Sequence, residues 1–464
     1  MDPHTRALRD TQPACYWLDQ DERPPACAEL EDEDEADLVI VGGGFTGLWA
    51  ALQAKEADPN REVVLIEASR VGEGASGRNG GFADPSLTHG LFNGLAHFPN
   101  QIEPLLDLGR ENYRGFLDSI KRYSIDARIE QTGTLDVATA EYQLENLSED
   151  VSVLNRFGEG ARLLDRNEIR SEVNSPTFLG GVYRPNGSLV DPARLAWGLL
   201  KAVRELGVRV YEQTPMQGLS RHGAGMEVRT EAGRVRARKC LLATNAFKTP
   251  VRSMQRATVP IWDYVLMTEP LSSEQLGSLG WQNRQGLGDE GNQFHYYRLT
   301  ADNRILWGGY DAIYHFGGRI EASHEQRPES FEGLAQRFFK TFPQLDGLRF
   351  SHSWGGPIAS TTRFCMDTGT SHDGRVSWAV GYTGLGVVAS RFGGRAALGL
   401  LDFPGIPKAE VDLVRRRPVP WPPEPLRSLV IQFTQRELAR ADRNGGQRGL
   451  WLRLLDRLGL GFDS

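Results

Sequence analysis

The sequence predicts an α/β protein built around a Rossmann-like dinucleotide-binding unit, with more than one domain. Three observations carry this. The apolar run from Asp37 to Val41 leads into Gly42-Gly43-Gly44-Phe45-Thr46-Gly47, a G-x-G-x-x-G turn. A helical stretch follows and then Val63-Val64-Leu65-Ile66, a second apolar run that ends in Glu67. The chain has 464 residues, beyond the usual size of a single hydrophobic core.

Each part of this unit has a physical task. Gly42 permits the tight turn, Gly44 lets the backbone approach a pyrophosphate, and Gly47 lets the helix pack close to the strand. The helix N-terminus offers free N–H groups and the positive end of its dipole to phosphates. Glu67, 20 residues beyond Gly47, is placed to hydrogen-bond a ribose hydroxyl. A glycine turn without a ligand is the bland alternative. The strand before the turn, the helix after it and the acid ending the next strand argue against it.

The next segment is Ala68-Ser69-Arg70-Val71-Gly72-Glu73-Gly74-Ala75-Ser76-Gly77-Arg78-Asn79-Gly80-Gly81-Phe82. Its glycines allow backbone N–H groups to approach a ligand closely. With this G-A-S-G-R-N-G-G stretch the chain resembles the D-amino-acid-oxidase-like family of flavoproteins. The likeness is to the amine-oxidising branch, which includes gamma-glutamylputrescine oxidoreductases and sarcosine or glycine oxidases. Further landmarks are Thr132-Gly133-Thr134-Leu135, Gly187 to Pro192, Leu242 to Ala246, Tyr297 to Arg304 and Gly381-Tyr382-Thr383-Gly384-Leu385-Gly386-Val387. The resemblance spans roughly residues 36 to 404.

The resemblance implies FAD, held without a covalent bond. Its contacts would be Gly42, Gly44, Phe45, Thr46, Gly47, Glu67 and Ala68, then Ser76, Gly77, Arg78, Asn79, Gly80 and Gly81 of the second loop. Met216, Ala243, Thr244 and Asn245 would join from the middle of the chain, and Gly381, Thr383, Gly384, Leu385 and Gly386 from its later part. The helix beginning near Val387 would point its N-terminus at the flavin's pyrimidine edge and stabilise charge that develops on reduction.

The resemblance also implies an α+β organisation: a glutathione-reductase-type FAD domain and a substrate domain on a mostly antiparallel sheet. The FAD domain would be discontinuous, from 36–82, 191–249 and 346–404. The substrate domain would take 83–190 and 250–345, leaving a lead-in at 1–35 and a tail at 405–464. Local patterns fit this order. Apolar residues from Pro104 to Tyr123 recur at helical spacing. Pro192 to Leu206 reads as a helix capped by Asp191. Met226–Thr230 and Arg234–Arg238 alternate as a hairpin around Glu231-Ala232-Gly233. Tyr16-Trp17 is expected to pack on the body, and the acidic run Glu29 to Glu35 to be solvated.

The implied reaction is oxidation of a C–N bond of an amine or amino acid to an imine, by hydride transfer to flavin N5. Oxygen or another acceptor would reoxidise the flavin. Such a site needs an apolar or aromatic wall and one or two polar anchors. The candidate wall is Gln293-Phe294-His295-Tyr296-Tyr297-Arg298. On a strand, Gln293, His295 and Tyr297 share one face, while Phe294, Tyr296 and Arg298 share the other. Either face is open to the site on alternation alone. The candidate catalytic residues are therefore His295 as a proton acceptor, Tyr296 as a wall residue and Arg298 as a carboxylate anchor. A structural histidine and a structural ion pair are the competing readings. Trp354 to Thr362 would be a second site element.

Three departures from the family pattern bear on the chemistry. Leu385 stands where many members carry histidine in the G-x-x-G-H-G turn. Cys365 lies later than the flavin-attaching cysteine of covalent members. No lysine occurs between Thr249 and Phe339, although sarcosine oxidases use a lysine to activate oxygen. A flavin hydroxylase of a non-amine substrate and a non-catalytic flavin-binding protein are the alternative readings.

Composition narrows the rest. Hydrophobic residues at 40% and charged residues at 24% describe an ordinary globular protein, and a net charge of −7 argues against nucleic acid. The four cysteines, Cys15, Cys27, Cys240 and Cys365, form no C-x-x-C pair and no metal-ligand spacing, which also argues against a disulfide reductase. A cytoplasmic protein without metal is expected, with a small amine or amino acid as its partner, as a monomer or homo-oligomer. Pro418–Pro425 should be extended. Two amphipathic stretches follow, Leu426–Leu438 and Leu450–Leu458, which are expected to pack on the body or a partner subunit rather than on a membrane.

Overall fold

The computed structural model describes residues 3–460 and contains two eight-stranded sheets. The first is built on strand Glu33–Val41, which pairs in parallel with Val63–Ile66 on one side and Arg234–Leu242 on the other. Arg209–Tyr211 and Val376–Val380 extend it in parallel, and Asp367–Ser371 closes one edge antiparallel. Leu38 and Ile40 face helices Phe45–Ala57, Pro192–Glu205 and Gly386–Leu400. Val39 and Val41 face the hairpin layer with Met226 and Val228. Burial on both faces explains why the strand reads as an unbroken apolar run.

Asp191 caps helix Pro192–Glu205 by accepting from the Arg194 N–H at 3.0 Å, and the 225–238 hairpin forms as its alternation predicts. The acidic run is largely exposed, as expected, with Asp34 its one half-buried acid. The first strand starts at Glu33, because Arg234 and Arg236 lie opposite and pair with Glu33, and Arg209 pairs with Asp34.

The second sheet runs in the order Phe350–Ser360, Val259–Thr268, Ile305–Gly309, His295–Leu299, Gly286–Asp289, Thr134–Ala138, Gly180–Arg184 and Arg162–Leu164. Only the contact between Gly286–Asp289 and Thr134–Ala138 is parallel. One face packs on helix Pro328–Thr341 through Trp262, Tyr264, Tyr297 and Trp307. The other face looks across a cavity toward the first sheet.

Two segments sit differently from the expected division. Strand Phe350–Ser360 belongs to the second sheet, because it pairs along the whole of Val259–Thr268; the chain returns to the first sheet only afterwards. Helix Ile102–Arg122 joins the core of the first sheet, where Phe116 meets Trp49 at 5.8 Å between ring centroids. The lead-in is anchored as expected: Trp17 is buried and the Tyr16 hydroxyl donates to Asp302 at 2.9 Å. Among the described residues no helix is long and apolar enough to cross a membrane.

Candidate active site

A cavity of about 1690 Å³ runs between the two sheets. Its floor is the glycine turn. Gly42 adopts φ +113°, and a Cβ there would lie 2.5 Å from the Ala243 carbonyl oxygen. A Cβ on Gly47 would lie 1.9 Å from the Gly42 carbonyl oxygen, so helix and strand can approach this closely only with glycine. Gly77 and Gly81 play the same role in the second loop, against Gly72 and Val190. Gly47, Gly77, Gly81 and Gly381 shape the cradle from behind and do not line it.

The other expected cofactor residues line the cavity. Gly42, Gly44, Phe45 and Thr46 come from the turn, and Glu67 and Ala68 from the second strand. Ser76, Arg78, Asn79 and Gly80 come from the second loop, and Met216, Ala243, Thr244 and Asn245 from the middle segment. Thr383, Gly384, Leu385 and Gly386 arrive at the N-terminus of helix Gly386–Leu400, where no side chain caps the backbone N–H groups.

Local bonds fix these parts. Glu67 accepts from the Gly43 N–H at 2.6 Å and the Ser69 N–H at 2.9 Å, while burial pushes its carboxyl above the usual range. Ser76 Oγ accepts from the Phe45 N–H at 2.9 Å. Arg78 is held at 2.7 Å by Glu325 and also by Glu73, so it ties the loop to the short helix Ala322–Glu325. Among the described residues, Thr244 Oγ1 and Asn245 Nδ2 are buried without a hydrogen-bond partner. Two orphaned polar groups facing a glycine-lined cradle fit a polar ligand in that space.

The strand His295–Leu299 resolves which face looks inward. Phe294 and Tyr296 line the cavity; His295 and Arg298 do not. The His295 ring stacks between Trp307 and Tyr310, with centroids at 4.5 and 5.1 Å. Its Nδ1–H donates to Asp289 at 2.8 Å, and its Nε2 accepts from Arg337 at 3.0 Å. An Arg N–H can only donate, so this imidazole is the neutral tautomer with its proton on Nδ1. Expectation and structure part here: alternation turns His295 toward helix Pro328–Thr341, and both its nitrogens are occupied.

Arg298 is likewise structural. It is 2% exposed, donates from Nη1 to the Val190 carbonyl at 2.7 Å and from Nε to the Leu299 carbonyl at 3.1 Å, and lies over the Trp17 ring. It shares its strand's inward parity but ends behind Gly81, holding backbone instead of facing the cavity.

Tyr296 meets a residue that the sequence reasoning missed. Its hydroxyl donates to Asp263 Oδ2 at 2.5 Å. Burial pushes the Asp263 carboxyl up to about 6, against the lowering effect of the Tyr296 hydrogen bond. Both residues line the cavity, beside Ile261, Val265, Tyr310 and Ile358. The one legible signal was an acid inside the apolar strand run Val259–Thr268.

The FAD-dependent oxidoreductase family model named DAO matches residues 37–399. The chain belongs to this family. Gamma-glutamylputrescine oxidoreductase of Escherichia coli (strain K12) is 34% identical over 379 residues, covering 80% of this chain and 85% of that protein. The probable oxidoreductase OrdL of Haemophilus influenzae is 29% identical, covering 82% of this chain and 86% of its own. Among solved structures, glycine oxidase from Geobacillus kaustophilus superposes with a TM-score of 0.65 at 20% identity, over 83% of this chain and 99% of that one. The fold is therefore that of the DAO family, and FAD is the cofactor that the cradle serves. The tail beyond 399 lies outside the family match.

Proposed function

We propose that this DAO-family oxidoreductase oxidises the C–N bond of an amine or amino acid to an imine. The observation that carries this is the Tyr296–Asp263 pair, set in an apolar wall that shares one cavity with the FAD cradle. The names of the relatives, which include a gamma-glutamylputrescine oxidoreductase and a glycine oxidase, support the substrate class.

When bound, FAD supplies the hydride acceptor and passes electrons on to oxygen or another acceptor. The protein's own residues do the rest. Gly42, Gly44 and the start of helix Phe45–Ala57 receive the pyrophosphate, and Glu67 the ribose. The N-terminus of helix Gly386–Leu400, which no side chain caps among the described residues, would favour negative charge on a cofactor held there. Ile261, Val265 and Ile358 exclude water and favour a neutral amine. Ionised Asp263 takes a proton from the incoming ammonium group, and Tyr296 fixes the orientation of that carboxylate. Arg298 keeps the Val190–Gly81 backbone in place beneath them.

The visible spectrum of the FAD-loaded protein, recorded without air while pools of amines and amino acids are added, tests this reading. Bleaching by one pool is the expected result, and admitting air then separates oxidase from dehydrogenase. A yellow protein that no pool bleaches overturns amine oxidation.

A further inference from the structure

Helices Leu426–Arg443 and Leu450–Arg457 lie beyond the segment that the family model matches, yet their inner faces complete the chamber. Val430, Ile431, Thr434, Gln435 and Leu438 line it from the first helix along one face, and Leu452 and Leu455 from the second. Ile431 is buried against Val259, of the second sheet, and Tyr314. The placement is fixed by polar latches. Asp442 accepts from the backbone N–H of Asn292 at 3.1 Å and of Gln293 at 2.9 Å, in the loop that leads into the Tyr296 strand. Glu424 accepts from the Tyr314 hydroxyl at 2.5 Å. Trp451 donates to Thr434 at 2.9 Å and joins the two helices.

We propose that these two tail helices are the substrate-selecting wall of the chamber, and that the chamber takes amines carrying an extended apolar group. The amine lies toward Tyr296 and Asp263, and the apolar group lies along Ile431, Leu438, Leu452 and Leu455. This rests on the amine reading above. The chemistry of the wall argues for it: five of the seven side chains that the helices set on the chamber are aliphatic, and the two polar ones are engaged, Thr434 by Trp451 and Gln435 by the Ala312 carbonyl. Arg448, in the connection between the two helices, also lines the chamber and is paired with Asp456 at 2.9 Å.

The test uses the full-length FAD-loaded protein and straight-chain primary amines from two to eight carbons. Each methylene laid against an apolar wall is worth about fourfold in affinity or kcat/KM. Binding is read from tryptophan fluorescence and oxidation from flavin bleaching, so the two claims separate. A rising slope with chain length is expected in both readouts, and Leu438→Gln and Leu455→Gln should each flatten it. Leu429→Ser, on the exposed side of the same helix at 61% exposure and outside the chamber lining, should keep the slope and serves as the control. A binding slope without bleaching would support the wall while removing amine oxidation. A flat slope in the unmodified protein, or one that survives in both glutamine variants with native circular dichroism, overturns the proposal.

Discussion

Tyr296 reaches Asp263 across an intervening strand, and Gly308 makes this possible. The Tyr296 hydroxyl lies 2.5 Å from Asp263 Oδ2, but strand Ile305–Gly309 separates their two strands. The phenol ring lies over Gly308, its register partner, where an added Cβ would come 2.5 Å from the ring. Gly80 of the cofactor loop approaches the same ring, with a Cβ there at 2.8 Å. One aromatic side chain therefore touches the cofactor loop, the sheet and the buried acid together. Tyr296→Phe removes only the hydrogen bond and should lower the rate of amine-driven flavin bleaching by roughly tenfold to a hundredfold, with flavin content retained. Gly308→Ala displaces the ring and should lower it at least as far. Stopped-flow bleaching at saturating amine checks both.

Asp263 should make activity and stability depend on pH in opposite directions. Its carboxyl sits at about 6 instead of the ordinary 3.8, chiefly through burial. Below 3.8 the group is protonated in both folded and unfolded chains and has no effect. As pH rises to about 6, the unfolded chain releases its proton first, and stability falls by about 3 kcal/mol. Asn cannot ionise, so the melting temperature of Asp263→Asn should exceed that of the unmodified protein by an amount that grows between pH 4 and pH 6 and then levels. Over the same range kcat/KM should rise as Asp263 becomes able to accept a proton, and the variant should lack that limb. A melting difference that is constant with pH would show that Asp263 ionises normally.

His295 tests whether its network is structural. The ring is stacked on Trp307 and Tyr310 and bonded at both nitrogens. His295→Ala opens a buried space and leaves Asp289 and Arg337 without this partner. It should lower stability by about 2–4 kcal/mol. The acid limb of the kcat/KM profile should stay where Asp263 puts it. Denaturant unfolding and a pH profile check the two halves, and a displaced limb would return His295 to the chemistry.

The cradle was legible in the sequence because backbone conformation and close approach dictate residue type there. Gly42 at φ +113° and Gly47 against the Gly42 carbonyl admit no side chain, and such positions print themselves as motifs. Tyr296 and His295 were legible only as alternating positions on one strand. Deciding between them needs the helix Pro328–Thr341, which arrives from more than 30 residues later and covers one face. Arg298 shows that parity alone is insufficient, since a long side chain can leave its face to satisfy backbone carbonyls. Asp263 was missed because its partner is two strands away, and no local pattern encodes that distance. The boundary expected at 346 falls before strand Phe350–Ser360 for the same reason: the register of that strand with Val259–Thr268 is a long-range fact.

Flavin attachment through Cys365 is disfavoured by its surroundings. The thiol is buried with Met366, Phe392 and Val414, and burial pushes it up to about 11. It is therefore a poor nucleophile at neutral pH, and it does not line the cavity. Acid precipitation should leave the yellow colour in the supernatant, and Cys365→Ser should bind the same amount of flavin. A yellow pellet would establish a covalent link.

Gly47 and Gly44 should behave differently although both belong to one motif. An added Cβ at Gly47 meets the Gly42 carbonyl oxygen at 1.9 Å, and that oxygen belongs to the rigid turn. Relief requires helix Phe45–Ala57 to move off strand Glu33–Val41, which withdraws the helix N-terminus from the pyrophosphate position. At Gly44 the nearest atom is Ser76 Oγ at 2.9 Å, the end of a side chain that can rotate at the loss of its bond from the Phe45 N–H. Gly47→Ala should therefore purify colourless and fail to take up added FAD, whereas Gly44→Ala should retain flavin with affinity weakened by roughly tenfold, about one lost hydrogen bond. Flavin released per protein and a titration of the apoprotein with FAD measure the difference. Equal loss in the two variants would mean that the turn is sensitive to any Cβ, and that the Ser76 contact has no separate part in holding it.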